Sequence, residues 1–369
     1  MKVILDTTVL HMDPFFKNTE MVKLRNLCSE GKIKLIIPRF VIQEYITQER
    51  EKLKSGKEYL ATLENRYTKA VYDTEKNMLA SIIKNMKKTI AEGDKTIENR
   101  IDTFILETKA KIIEPTFEEY KETFGRYFNG DKPFKTIKSR EDIPDGIIFS
   151  QVKNIKDETV VFISNDKNLR ESVARQDITV FSNLSDFITS DNMKNIIEFK
   201  EIDNLLLYHL PILMENENLQ KIFYNALEEE LVFKKITDEK IPDDNYEGTI
   251  TGVLGIDPIE FTKSEIVKLG DGLFTIPFYC EIDATLEYYL YKADYFCLDE
   301  DKMQDIYIDD WNEHYFQAEE EYPLICTGNL GIQFNPHMLN KEFSNINQDK
   351  LLQETKISFS ELEIVIKDY

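Results

Sequence analysis

Cysteine is scarce in this chain of 369 residues, and its four copies are poorly placed for joint chemistry. Cys28, Cys280, Cys297 and Cys326 form no CxxC pair, and Cys28 stands far from the rest. That spacing argues against a zinc site and leaves free thiols of a reducing cytoplasm, used as small buried hydrophobes. Long apolar runs are also missing. None approaches the roughly 18 residues needed to span a bilayer. Met1–Leu10 shows no charged leader, no extended apolar core and no small-residue cleavage site, so no secretory signal is expected and the reading is cytoplasmic. Histidine is limited to His11, His209, His314 and His337, scattered without HExxH spacing. Each reads as an ordinary surface or core residue, with His11 held open because it lies close behind Asp6. Gly93, Gly125, Gly130 and Gly146 make no GxGxxG, and neither a GxxxxGK[ST] loop nor a GxSxG serine occurs. A phosphatase of the Asp-x-Asp kind would need Asp at position 8, where Thr8 stands.

What the chain has in excess is acid, unevenly spread. The net charge is -22. Residues 1–190 hold 32 basic and 30 acidic residues, leaving 14 basic and 38 acidic for 191–369. An acidic surface repels phosphate, so contact with a polyanion should come from the first half. With 42% hydrophobic residues, the length suffices for two domains with their own cores.

Along the first half, apolar runs alternate with helical patterns. Lys2–Leu5 reads as a buried strand ending at Asp6, and a helix follows from about Asn18 to Glu30, stopped by Gly31. Ile33–Ile37 is a second strand closed by Pro38, and a helix starts near Arg39 with Val41, Ile42, Tyr45 and Ile46 on one face. Residues from about 50 to 112 read as a helical insertion. Leu60, Leu63, Tyr67 and Val71, then Met78, Ile82, Met86 and Ile90, fall at steps of three and four; Gly93 breaks the run, and Ile97, Ile101, Phe104 and Ile105 resume it. Its polar face carries Lys69, Lys76, Lys84, Lys87, Lys88 and Lys95, read chiefly as a solvated face and alternatively as a phosphate-gripping arm. Residues 113–140 are read as a short helix and a loop. A helix opens at Pro144-Asp145, Val160–Ser164 is a third strand, Asp166–Arg175 a helix, and Ile178–Phe181 a fourth strand. Such alternation implies a parallel sheet with helices on both faces. After a boundary near 186–200 comes a helix over Asn216–Lys235. The period then changes to two, with strands expected at Thr249–Ile256, Leu273–Glu281, Thr285–Tyr291, Leu324–Phe334 and Ile357–Ile366. The expected domains are 1–190, α/β, and 191–369, α+β with an antiparallel sheet.

Four carboxylates of the first half can meet. Asp6 and Asp166 end strands of a parallel sheet, whose carboxyl edge is where ligands bind. Asp145 starts a helix and Glu44 sits on the helix after the second strand. Four ionised carboxylates in one cleft repel unless a cation joins them. Oxygen-only ligands favour Mg²⁺ or Mn²⁺, and two such ions suit phosphodiester displacement.

The local sequences resemble those of PIN-domain nucleases: Val3-Ile4-Leu5-Asp6-Thr7-Thr8-Val9-Leu10, Ile37-Pro38-Arg39-Phe40-Val41-Ile42-Gln43-Glu44, Asp142-Ile143-Pro144-Asp145-Gly146-Ile147-Ile148, and Phe162-Ile163-Ser164-Asn165-Asp166-Lys167-Asn168-Leu169. The resemblance covers residues 1 to about 185. It implies a three-layer α/β/α sandwich, dependence on Mg²⁺ or Mn²⁺, and cleavage of single-stranded RNA in preference to DNA. Carried over, Asp6, Glu44, Asp145 and Asp166 are the catalytic and metal-binding set, with Thr7, Ser164 and Asn165 in support. Asp142 is a further candidate, for which helix capping is the preferred reading. Lys84, Lys87, Lys88 and Lys167 are candidates for contact with nucleic acid. The sequence departs from the family in the long gap before Asp145, which the insertion accounts for, and in Gly146, where Ala is common.

The second half is not recognised as a member of a family. Its acidic runs, Leu298–Asp301 and Asp309–Glu313, contain no calcium loop. They are read first as solvated surface, then as a partner-binding or self-associating module, then as a cover for the cleft. The whole is expected to be a metal-dependent endoribonuclease regulated by its C-terminal domain, in bacterial stress or phage defence by analogy. The alternative is a catalytically idle scaffold.

Overall fold

Val3, Ile4 and Leu5 are fully buried, and the strand they form, β1 (Lys2–Leu5), is the middle of a parallel sheet. In a computed structural model the residues described are 1–70, 73–155, 159–298, 303, 305–335 and 355–367, with 59, 62–70, 73–81, 91, 94, 202, 212 and 218 described in backbone only. Leu63, Tyr67, Val71, Met78, Lys69 and Lys76 of the expected helical pattern, and Asp299–Asp301 of the acidic run, lie outside what is described of side chains. The chain divides into two compact units, Met1–Ile196 and Ile197–Tyr369.

In the first unit β1 is followed by α1 (Thr7–Met12), α2 (Thr19–Ser29), β2 (Lys34–Pro38), α3 (Arg39–Ala70), α4 (Asp73–Thr108), β3 (Lys111–Ile113), α5 (Phe117–Asn129), α6 (Ile143–Lys153), β4 (Val160–Ile163), α7 (Lys167–Ala174), β5 (Thr179–Phe181), α8 (Leu184–Thr189) and α9 (Asp191–Lys194). The sheet among the described residues runs β3-β2-β1-β4-β5, all parallel, with Ile4 opposite both Ile36 and Phe162. This is the α/β/α layering of the first-half expectation. Near-continuous apolar strands fit a sheet covered on both faces. Gly31 takes the left-handed conformation (φ 74°) past the end of α2, as the stop signal implied.

Several elements differ from the sequence reading. β3 lies across the expected end of the helical insertion and the start of the expected helix and loop, so the sheet gains an edge strand and β4 is fourth rather than third in chain order. α1 was not foreseen. The helical insertion is not broken at Gly93: α3 and α4 are continuous helices of 32 and 36 residues, and Gly93 lies inside α4. A Cβ placed there would come within 3.0 Å of Leu53 Cδ1, so this glycine lets the two helices approach rather than ending one. Arg50–Glu98 at 2.6 Å ties α3 to α4, and Arg100 reaches the Pro14 carbonyl at 2.7 Å.

The second unit contains α10 (Glu201–Leu213), α11 (Glu217–Leu231), β6 (Lys235–Thr237), β7 (Glu247–Ile256), β8 (Glu260–Phe261), β9 (Val267–Gly270), β10 (Leu273–Tyr291), α12 (Lys292–Tyr295), β11 (Tyr307–Asp310), β12 (Tyr315–Gln333) and β13 (Lys356–Ile366). Its pairings are antiparallel, along the order β11-β12-β10-β7-β6 with β13 on β12. The two strands expected at 273–281 and 285–291 are one strand of 19 residues, because the alternation continues without interruption through Ile282, Ala284 and Leu286, all buried. α10 was missed. Buried Leu206, Leu210, Leu219, Phe223 and Leu227 of α10 and α11 join the inward residues of the sheet in one core. Buried Asp203 accepts from the Gly272 amide at 2.9 Å and the Lys200 amide at 2.8 Å. All four cysteines are free; Cys280 sits opposite Cys326, and Cys297 is exposed rather than buried as expected. Among the described residues no helix is long and apolar enough to cross a membrane.

Candidate metal centre

The end of β1 and the end of β4 are laced by two hydroxyls. The Asp6 amide donates to the Ile163 carbonyl at 3.0 Å, carrying the sheet pairing up to the carboxylate. Ser164 Oγ, fully buried, donates to Asp6 Oδ2 at 2.7 Å and accepts from the Asp166 amide at 3.0 Å. Thr8 Oγ1 donates to the same Asp6 oxygen at 2.8 Å and accepts from the Asn165 amide at 2.9 Å. Asp166 caps α7 through the Leu169 amide at 2.6 Å, and Arg170 holds the Ser164 carbonyl at 2.6 Å. Short polar residues at strand ends satisfy backbone donors where the chain turns into a helix, and here they also fix two carboxylates.

Glu44 lies in the second turn of α3. Thr7 Oγ1 donates to Glu44 Oε2 at 2.6 Å, and Gln48, one turn further on, donates to Oε1 at 3.3 Å. Asp145 is in the first turn of α6 and makes no side-chain hydrogen bond among the described residues. Burial, and then the charges of Asp6, Asp166, Glu44 and Asp142, push its carboxyl up to about 8. Asp6 is also raised, by burial against the pull of its hydroxyl donors. Glu44 is raised by burial and by Asp6, with Thr7 opposing. Ser164 links Asp6 to the Asp166 amide, and Thr7, next to Asp6, holds Glu44, so these three lie at one end of the sheet; Asp145 is joined to them by charge alone.

The remaining candidates fall as follows. Asp142 is buried at the N-cap position of α6, but its side chain makes no cap bond; it accepts from the Lys135 amide at 2.8 Å, so capping is not its role. Asn165 contributes its amide, with its side chain exposed. Lys167 is exposed directly after Asp166. Lys84, Lys87 and Lys88 are exposed on α4, with Lys88 paired to Glu92 at 3.9 Å. His11 stacks on Tyr45 with ring centroids 5.8 Å apart, and burial first, then Lys52, lowers its pKa. Thr8, Gln48 and Arg170 were not foreseen. Thr8 could have been, since a hydroxyl two residues after a strand-end Asp is placed to bond it.

Gly146 has a structural reason. A Cβ there would lie 2.7 Å from Phe134 Cζ and 2.8 Å from Thr123 Cγ2, so the helix start carrying Asp145 is packed too tightly for alanine.

The donor chemistry, oxygen alone and raised carboxyls that repel, fits a hard divalent cation. Among the described residues no three His, Cys, Asp or Glu side chains converge closely enough to hold one as they stand. Carboxylates crowded without a counter-charge turn onto hydroxyl and amide donors, so both observations express the same repulsion.

Residues 3–169 match the family model for the PIN domain. The N-terminal unit is a PIN domain. No curated protein and no solved structure matches the chain. PIN domains are in general nucleases that bind nucleic acid and typically use divalent metals. The match begins at Val3, in β1, and runs on to Leu169, whose amide binds Asp166.

Proposed function

We propose that this PIN domain is a metal-dependent endonuclease that hydrolyses phosphodiester bonds of single-stranded RNA in preference to DNA. Asp6, Glu44, Asp145 and Asp166 would hold Mg²⁺ or Mn²⁺. The observation that supports this most is Asp145, half-buried, without a hydrogen-bond donor among the described residues, and with its carboxyl pushed up to about 8 by burial and by the charges of Asp6, Asp166, Glu44 and Asp142. Groups perturbed by burial and like charge cluster at functional sites. A bound cation would supply charge stabilisation for the phosphoryl oxygens and acidify water. The chain's own residues do the positioning: Ser164 and Thr8 orient Asp6, Thr7 and Gln48 orient Glu44, and the Leu169 amide orients Asp166. In this reading the acidic second unit regulates or targets the nuclease through a protein partner or self-association, with bacterial stress or phage defence as the setting.

The test is cleavage of labelled single-stranded RNA and DNA in Mn²⁺ by wild type, Asp6→Asn and Asp166→Asn. Cleavage by wild type alone, faster on RNA, is the expected result. Activity surviving in both variants would sink the assignment. Weak Mn²⁺ binding without turnover would instead favour an idle scaffold, and tight binding lost in Glu44→Gln would count against it.

A further inference from the structure

α5 is amphipathic the wrong way round. Its buried residues are Glu119 and Thr123, while Phe117, Phe124 and Phe128 are 79%, 44% and 58% exposed. Steps of seven and four put these three rings on one helix face. Isolated exposed apolar residues are ordinary, but an aligned row of large rings marks an interaction site. Gly125 lies to one side of this row, with nothing near the place a Cβ would take. A glycine inside a helix costs about 1 kcal/mol relative to alanine, and here it leaves a flat bed beside Phe128.

The row runs into a basic loop. Residues 131–140 carry Lys132, Lys135, Lys138 and Arg140 against Asp131 alone. Lys135, Lys138 and Arg140 are exposed. The loop folds back on the end of α5: the Lys138 amide donates to the Tyr127 carbonyl at 2.9 Å, and Arg126 Nη1 donates to the Lys132 carbonyl at 2.9 Å. Ile137 packs against Gly130, which ends the helix at φ 72°. Rings and cations therefore belong to one rigid piece. Acids on α5 are answered locally, Glu122 by Lys153 at 2.7 Å and Arg126 at 3.1 Å, and Glu118 by Lys121 at 3.9 Å.

That piece is bonded to the segment carrying Asp145. Asp142 holds the Lys135 amide, Thr123 Oγ1 donates to the Gly146 carbonyl at 3.1 Å, and Phe134 fills the space beside Gly146. We infer that α5 and the 131–140 loop form a platform for single-stranded RNA, with bases stacked on Phe124 and Phe128 and phosphates drawn by Lys135, Lys138 and Arg140, leading the strand to the carboxylates. The inference rests on the nuclease reading for its choice of polymer. The chemistry of the row selects the occupant: a bare apolar partner would not need four cations in ten residues, and a duplex hides the faces of its bases. Phe124 and Phe128 are about 6 Å apart along the helix at 1.5 Å per residue. That exceeds the 3.4 Å spacing of a stacked strand, so the platform suits an extended strand with separated bases. Aromatic stacking of this kind is tolerant of sequence.

The test is fluorescence polarisation of a 5′-labelled oligouridylate with the full chain in EDTA, where no metal-dependent hydrolysis occurs. Phe124→Ala/Phe128→Ala should weaken binding about tenfold or more, and Phe124→Tyr/Phe128→Tyr should largely restore it. Binding of an RNA duplex should be indifferent to the alanine pair. Lys135→Gln/Lys138→Gln/Arg140→Gln should reduce the slope of log affinity against log salt by about 2, from 0.7 per phosphate contact. Wild-type affinity in the alanine pair, an equal loss on duplex, or no binding by wild type overturns the platform. Failure of the nuclease reading is scored separately, by cleavage that survives Asp6→Asn/Asp166→Asn.

Discussion

Asp145→Asn should stabilise the metal-free protein at pH 8 while removing its cleavage. The carboxyl is pushed from 3.8 up to about 8 by burial and by Asp6, Asp166, Glu44 and Asp142. Below about pH 4 both folded and unfolded chains keep the proton, and this group has no effect on the balance. Between about 4 and 8 the unfolded chain releases it and the folded chain retains it. The folded state then binds more protons, so its stability falls as pH rises. The loss is complete above 8. A shift of about four units corresponds to about 5 kcal/mol at 1.36 kcal/mol per unit. Asp145 is not fully enclosed, and solvent at its edge and relaxation of its neighbours reduce this to about 1–3 kcal/mol. Asparagine matches the neutral acid in shape and carries no proton to lose. The assay is urea unfolding in EDTA followed by circular dichroism, which reports the helical PIN domain; the single tryptophan, Trp311, lies in the second unit and would report that instead. The variant should gain at pH 8 and match wild type at pH 4. Mn²⁺ should then stabilise wild type and not the variant, by about 2.7 kcal/mol at a hundredfold excess over the dissociation constant. A variant that is neutral or less stable at pH 8 would refute the crowding of the carboxylates.

Three further changes probe the surroundings. Gly146→Ala should cost about 1–3 kcal/mol through overpacking against Phe134 and Thr123, measured as a lower urea midpoint; no change would mean that Phe134 rotates away freely. Ser164→Ala removes a donor at 2.7 Å from Asp6 and the acceptor of the Asp166 amide, and should weaken Mn²⁺ binding about 10–100-fold in calorimetry; unchanged affinity would mean that Asp6 is oriented by Thr8 alone. Asp203→Ala strands the Gly272 and Lys200 amides and should lower the stability of the second unit by about 1–3 kcal/mol, read from Trp311 fluorescence, with the PIN domain's own transition unmoved.

Legibility in the sequence followed element length and packing. β1, β2 and β4 are short apolar runs rich in Val and Ile and cut off by Asp, Pro or Ser, which reads as covered strands; their ends set Asp6 and Asp166 on one edge. β3 is three residues at the sheet border, too short for any period, and only its pairing with Ile36–Pro38 defines it. Gly93 looked like a break because a glycine's local propensity is visible and its neighbour across the helix pair, Leu53, is not. Residues 282–284 looked like a turn because Asp283 is polar, yet it points away from the core of an unbroken strand. α5 hid its significance for a further reason. Apolar periodicity is ordinarily read as the buried face, and nothing in the sequence says that here the ring-bearing face is the exposed one.

Charge gives the two units opposite fitness for a polyanion. In the second unit one face of β10 and β12 is core, and the other carries Glu281, Asp283, Glu287, Glu319 and Glu321. Glu287 and Glu319 stand directly opposite each other, an arrangement that costs sheet stability and that phosphate would aggravate. The first unit is nearly neutral in sum but not in detail. Of its site carboxylates Asp6 is buried and Glu44, Asp145 and Asp166 are half-buried, while Lys135, Lys138 and Arg140 of the 131–140 loop face solvent. In the proposed reading a phosphate chain meets the exposed cations first and the recessed carboxylates only where a metal ion intervenes. Near-neutrality of the PIN domain is therefore compatible with binding RNA, because the sign of its surface beside the site is set by which charges are buried.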